Sequence, residues 1–485
     1  MPIKYSMRLN LRSKILLVQV LQKLVLPKSI IKRKKFVRQN VPVKRQHASG
    51  ANLPPCKVHI PMKHSVEEIT FKNGLKTLVL NVPDAPVVAC EISFRAGEFL
   101  LGREKWETAH IMEHMMLGSN SNFATSRDFQ AALEKNGAYS NASTSAYDIT
   151  YEVESAHFDT ARVLGLLTQA LERPVFKSSE FKAEFGNVAE ELEGRSNNHF
   201  RTLNIAIREA QGLCSVSDTE RVTLMQNVIK DDINSHYNAT HSIQNARCII
   251  AGNVTSEHLD VLAKLKLKCA TPRISMPTET PIHNNSPLVI IKKDVPNYYF
   301  YVDAYATRRF NQRERDALGI LSTLLTDTLH SILFGTARER GLVYAMGSGQ
   351  QHIKDYSSFW LGAQVSKKNA SELFQLMVHS LITIREKGVS EKDLQAAKLY
   401  MLGNHERSAQ TVRSLLSRYS APYFRDDTIA NELGYEQRIS EVTNDDIKAI
   451  LATVLSGPWM LGLLGDVASD HATQLYDILT PLFSN

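Results

Sequence analysis

The chain has 485 residues, which at about 150 residues per domain leaves room for roughly three domains, each able to bury a core of its own. Hydrophobic residues make up 43% and charged residues 22%, a balance that excludes wholesale disorder and a polytopic membrane protein. The net charge of +7 sits in the first fifty residues, which hold thirteen Lys or Arg and no Asp or Glu; the rest carries 44 basic against 50 acidic residues, and a body of net −6 excludes nucleic acid as its partner.

The five cysteines, Cys56, Cys90, Cys214, Cys248 and Cys269, contain no CxxC pair and point to free thiols in a reducing compartment. Within the basic leader, residues 1–57, the apolar run Ile15 to Leu21 lies between Lys14 and Lys23. It falls short of the about 20 residues a transmembrane helix needs. No small-x-small cleavage site follows it, which argues against secretion. A helix over about residues 10–26, with Gln19, Gln22 and Lys23 as a polar stripe, fits a mitochondrial transit segment as well as a plain basic tail. A cytoplasmic location is the reading adopted, with the mitochondrial matrix as the alternative.

The folded body begins near Val58. Val66 to Asn81 alternates apolar and polar residues around Asn73-Gly74 and predicts a hairpin. Val87 to Arg95 reads as the next strand. Helical spacing follows at 106–116, 126–135, 158–171 and 179–195, with a strand between them over 138–153. Residues 271–287, rich in proline, read as a linker. After it the order recurs: strands at 288–291 and 298–307, a helical stretch over 313–340, a strand pair over 343–365, then helices over 369–387 and 391–408. The prediction is an α+β fold of two homologous halves, 58–270 and 288–485, each an antiparallel-rich sheet with helices packed on it, arranged as a clamshell.

Chemistry concentrates on the first of these helices. His110, Glu113 and His114 stand at i, i+3 and i+4 and so share one face. Two imidazoles one turn apart can bind a single zinc ion, and the carboxylate between them is placed to take a proton from water. The pattern HxxEH is that of the inverzincins. A zinc site of two histidines wants a carboxylate from elsewhere. The helix over 179–195 offers Glu184 and Glu191, seven apart on one face: one to bind metal, the other to orient a histidine. Glu190 and Glu193 read as solvated.

The spacing HxxEH, 69 residues, Glu, six residues, Glu resembles the metallopeptidase family of pitrilysin, insulin-degrading enzyme and mitochondrial processing peptidase, most of all its short bacterial-type members. That resemblance covers about residues 60–465. It implies one Zn2+ per chain held by His110, His114 and Glu191, Glu113 as general base and later proton donor, and Glu184 in support. The stretch Asn136 to Tyr151 is similar to the family's active-site edge strand, which implies that Asn141, Ala142 and Thr144 bind substrate by strand addition. The segment Leu333 to Tyr344 resembles the family's Arg-Glu-x-x-Gly-Leu-x-Tyr element, with Arg338 one residue closer to Gly341 than usual, and implies that Arg338 and Tyr344 contact the substrate carbonyl.

The chain also departs from the family pattern. Trp106-Glu107 replaces small residues, Ile111 an aromatic one, and Thr326 to His330 a glycine-rich turn. The implied activity is zinc-dependent hydrolysis of peptide bonds in short or unfolded polypeptides. A homodimer is expected ahead of a heterodimer with a non-catalytic relative. The alternative is a catalytically silent or partner-dependent peptide-binding subunit of the same fold.

Overall fold

A computed structural model describes residues 62–483; most of the basic leader, including the helix expected there, lies outside the described residues. The hairpin at Asn73-Gly74 forms as β1 (Ser65–Thr70) and β2 (Lys76–Asn81). Gly74 turns the chain at φ 93°, a conformation that suits glycine, and the Asn73 side chain accepts from the amide of Leu75 at 3.0 Å. β3 (Val87–Phe94), β4 (Tyr139–Thr144), β5 (Ile149–Ala156) and β6 (Ala246–Gly252) complete a sheet of order β1-β2-β6-β3-β5-β4. β6 lies parallel to β2 and antiparallel to β3.

The second sheet contains β7 (Leu288–Ile291), β8 (Asn297–Ala306), β9 (Val343–His352), β10 (Ser357–Ser366) and β11 (Trp459–Gly465), in the order β7-β11-β8-β10-β9. With β1 set aside, the two sheets have the same connectivity. In each, a late strand pairs parallel with the first and antiparallel with the second. The duplication expected from element order is therefore present in strand order.

Two expectations need correction. The single strand over 138–153 is a hairpin, because Ser145 Oγ accepts from the amides of Tyr147 and Asp148 at 3.1 and 3.0 Å and turns the chain between β4 and β5. The helical stretch over 313–340 is broken. Gln312–Ser322 runs into a π-helical turn, Thr323–Asp327, and helix resumes only at Phe334–Glu339. Ser331 Oγ donates to the carbonyl of Thr323 and accepts from the amide of Thr328, so side chains take over backbone partners that a continuous helix would use.

The helices of the first half are α1 (Thr108–Met116), α2 (Ser126–Glu134), α3 (Thr160–Glu172), α4 (Ser178–Ser196), α5 (His199–Ala210), α6 (Asp218–Leu224), α7 (Lys230–Thr240) and α8 (Ser256–Ala263). α1 and α3 pack on one face of the first sheet, over Val88, Cys90, Ile92 and Phe94. The opposite face, Leu78, Leu80, Ala89, Ile249 and Ala251, is covered by the helix Val412–Asp426 of the second half. The exchange is reciprocal. α5 of the first half lays Leu203 and Ile207 on Met460 and Leu464 of β11. Gly462 makes room for it, since a Cβ there would meet Ile207 Cδ1 at 2.4 Å.

Candidate metal centre

α1 is held against the first core by Ala109, Ile111, Met112, Met115 and Met116, all buried. That burial fixes the helix's rotation and turns His110, Glu113 and His114 toward α4. α4 in turn buries only Val188 and Leu192 fully and presents Glu184 and Glu191 to the histidines. Glu190 and Glu193 are exposed.

Glu191 Oε2 lies 3.5 Å from His110 Nε2 and 3.5 Å from His114 Nε2. Ligands bound at 2.0–2.1 Å around a tetrahedral zinc stand about 3.4 Å apart, so these donors fit the ion in kind and in spacing. Among the described residues they form the only His, Cys, Asp or Glu group arranged to hold a metal. Arg195 pairs with the other carboxylate oxygen, Oε1, and leaves Oε2 to the histidines.

Each imidazole is also held from behind. His114 Nδ1 lies 3.1 Å from Glu184 Oε2, which also accepts from Asn187 at 3.0 Å. His110 Nδ1 lies 3.1 Å from Glu107 Oε2. Glu107 is a residue the sequence reading registered only as a departure from the family pattern; its place one turn before His110 was the available signal. Burial works against a charged His110, but its hydrogen bonds to Glu107 and Glu191 outweigh that and push it up to about 9. The hydrogen bond from His110, with Arg195 and His114 adding to it, holds Glu191 down at about 2 despite partial burial.

A cavity of about 650 Å³ opens over the group, lined by Glu113 and by Asn141, Ala142, Ser143 and Thr144 of β4. β4 is the edge of its sheet and pairs only with β5, so its outer side faces this space without a strand neighbour. Arg338 and Tyr344 are not brought here. Tyr344 is 83% exposed and lines a separate cleft with Phe200, Tyr301 and Trp360. The Arg338 guanidinium sits 4.8 Å from the centre of the Tyr344 ring and donates to its carbonyl. Neither residue lines the cavity over the histidines within this chain.

Two α+β halves of one strand order thus carry a His-x-x-Glu-His helix that faces a glutamate helix. Residues 76–214 match the profile of the insulinase family, peptidase family M16, and residues 227–401 match that of the peptidase M16 inactive domain. The chain belongs to peptidase family M16. It is 23% identical to the zinc protease PqqE of Helicobacter pylori over 79% of this chain and 88% of that one, and 21% identical to an uncharacterized zinc protease of Streptomyces coelicolor over 85% and 92%. A crystal structure of a protease from Helicobacter pylori superposes with a TM-score of 0.74 at 19% identity, over 83% of this chain and 99% of that one. A chain of complex III2 from Candida albicans superposes with 0.70 at 12%, over 85% and 99%.

Proposed function

We propose that this chain is a zinc-dependent endopeptidase acting on short or unfolded polypeptides. The observation that carries the reading is the convergence of His110, His114 and Glu191 beside Glu113 in a cavity walled by an edge strand. Zinc, when bound, supplies Lewis-acid polarisation at that point. The substrate backbone adds to β4 at Asn141, Ala142 and Thr144, whose main chain gives affinity without fixing side-chain identity. The Glu113 carboxylate takes the proton of the attacking water and returns it to the leaving amine. Glu191 is neutralised on one side by Arg195, and Glu184 and Glu107 keep the two Nδ1 protons in place.

A second reading, activity that depends on a partner, is favoured by the exposed Arg338 and Tyr344 pair. A guanidinium and a phenol suited to an oxyanion stand outside their own chain's cavity and are free to complete the site of a second copy. We therefore read the working form as a homodimer ahead of a heterodimer. Among the described residues no helix is long and apolar enough to cross a membrane. The cytoplasmic reading rests on the free thiols and the matrix alternative on the basic leader.

The test is zinc content and cleavage of a quenched fluorescent peptide library by wild type beside Glu113→Gln. About one zinc in each, with turnover in the wild type alone, is expected. Zinc in both and cleavage by neither would move the assignment to the silent or partner-dependent subunit.

A further inference from the structure

Glu107 and Arg221 stand out once the metal centre is in view. Glu107 is fully buried and Arg221 is 6% exposed. Arg221 Nε donates to Glu107 Oε1, and its Nη2 reaches Glu107 Oε2 at 3.1 Å and Glu98 Oε1 at 2.6 Å. The same Glu107 Oε2 accepts from His110 Nδ1. Buried ion networks are weak contributors to stability, and apolar residues of similar volume often replace them without loss. What this one achieves is orientation. With the Nδ1 proton tied to Glu107, the lone pair of His110 is confined to Nε2, the atom that faces Glu191.

The two imidazoles are held by different means. Glu184 travels on α4 with Glu191 and is partly exposed, with a side-chain exposure of 26%, so His114 is oriented only when α4 is docked. Glu107 rides on the segment leading into α1 and is held from α6 by Arg221, so the partner of His110 Nδ1 is not carried by α4. Arg221 lies between the two stretches that match the M16 profiles, and Glu107 occupies a position where small residues were expected.

We propose that Glu107, fixed by Arg221, is a positioning residue of this chain that sets the ring plane and tautomer of His110 for the metal. The proposal rests on the zinc reading above. Its test is zinc affinity, measured by competition with a chromophoric chelator, together with the visible spectrum of the cobalt-substituted protein and the melting temperature of the metal-free protein. These are compared for wild type, Glu107→Gln and the double variant Glu107→Met/Arg221→Met. Glu107→Gln keeps the shape and removes the charge. The double variant removes both members of the Glu107–Arg221 pair, and Glu98, whose carboxyl is already pushed up by burial, is left to take a proton.

The expected result is a loss of about 10–100-fold in zinc affinity in both variants with an altered cobalt spectrum, while the double variant melts at or above the wild-type temperature. Affinity and spectrum that return to wild-type values in the double variant would overturn the positioning role and leave Glu107 and Arg221 a structural pair. A wild-type chain that takes up no zinc, or that binds it equally well after His110→Ala, would overturn the metal reading itself.

Discussion

Glu91 lies on β3 beneath the helix Val412–Asp426, only 7% exposed, and accepts from Ser420 of that helix at 2.7 Å. Burial, with Glu152 adding to it, pushes its carboxyl up to about 7; the Ser420 hydrogen bond and Arg413 offset only part of the rise. The folded state therefore holds a proton that the unfolded chain releases near pH 4.5. The resulting stability is complete below that pH and is lost as pH rises through about 7. Glu91→Gln, which keeps the acceptor for Ser420, is expected to unfold at higher denaturant than wild type at pH 8, by on the order of 2 kcal/mol, and to match it near pH 4. Equal midpoints at both pH values would show that the carboxyl is not buried as a neutral acid. The candidate metal site was open to sequence reasoning at this scale because His110, Glu113 and His114 lie within two turns of one helix. Glu107 and Arg221 were not, since 114 residues separate them and no local spacing records that contact.

At the scale of elements, α5 and the helix Val412–Asp426 follow corresponding glutamate-bearing and equivalent helices, α4 and Glu391–Ser408, and each crosses to the other half. Ile207 and Leu416 are both fully buried at these crossings. Truncation of either to Ala is expected to cost about 2–5 kcal/mol, the transfer term plus the cavity left behind. The cost is read from denaturant midpoints, and a change under about 1 kcal/mol would mean the crossing helix relaxes into the space. Ile207→Ala carries a further consequence, because α5 begins three residues after the end of α4. Looser seating of α5 is expected to weaken zinc binding more than Leu416→Ala does, as measured by chelator competition.

The crossings were not legible in the sequence. An apolar stripe on a helix shows that one face is buried but not which sheet buries it, and no element was placed over 196–264 or 409–485. The hairpin around Asn73-Gly74 and the strand pair over 343–365 were legible because turn residues and alternation are local properties, whereas the turn at Ser145 to Asp148 was read through as one strand. The break after Ser322 escaped for a related reason: apolar spacing continued through it while Thr323, Thr328 and Ser331 redirected the backbone.

For the whole molecule, the exchange of helices makes the two halves interdependent in a way that a domain boundary near 271–287 does not suggest. A chain ending at residue 287 would retain all of the first sheet, α1 and α4, and thus every residue of the metal centre. It would also bare Leu78, Leu80, Ala89, Ile249 and Ala251, and leave Leu203 and Ile207 of α5 without β11. Exposing one face of a sheet together with an unpartnered helix creates an apolar surface of the kind that drives association. The full chain is therefore expected to melt in a single transition, and the 58–287 fragment to be recovered as aggregate or as a species that binds hydrophobic dye and no zinc. A monomeric fragment with its own cooperative melt and a full zinc complement would show that the first half folds alone. The crossing helices would then add stability to a finished unit, and the metal centre would owe nothing to the second sheet. The expected failure would instead make the second half, which carries no metal group among the described residues, the structural condition for a centre assembled entirely from the first.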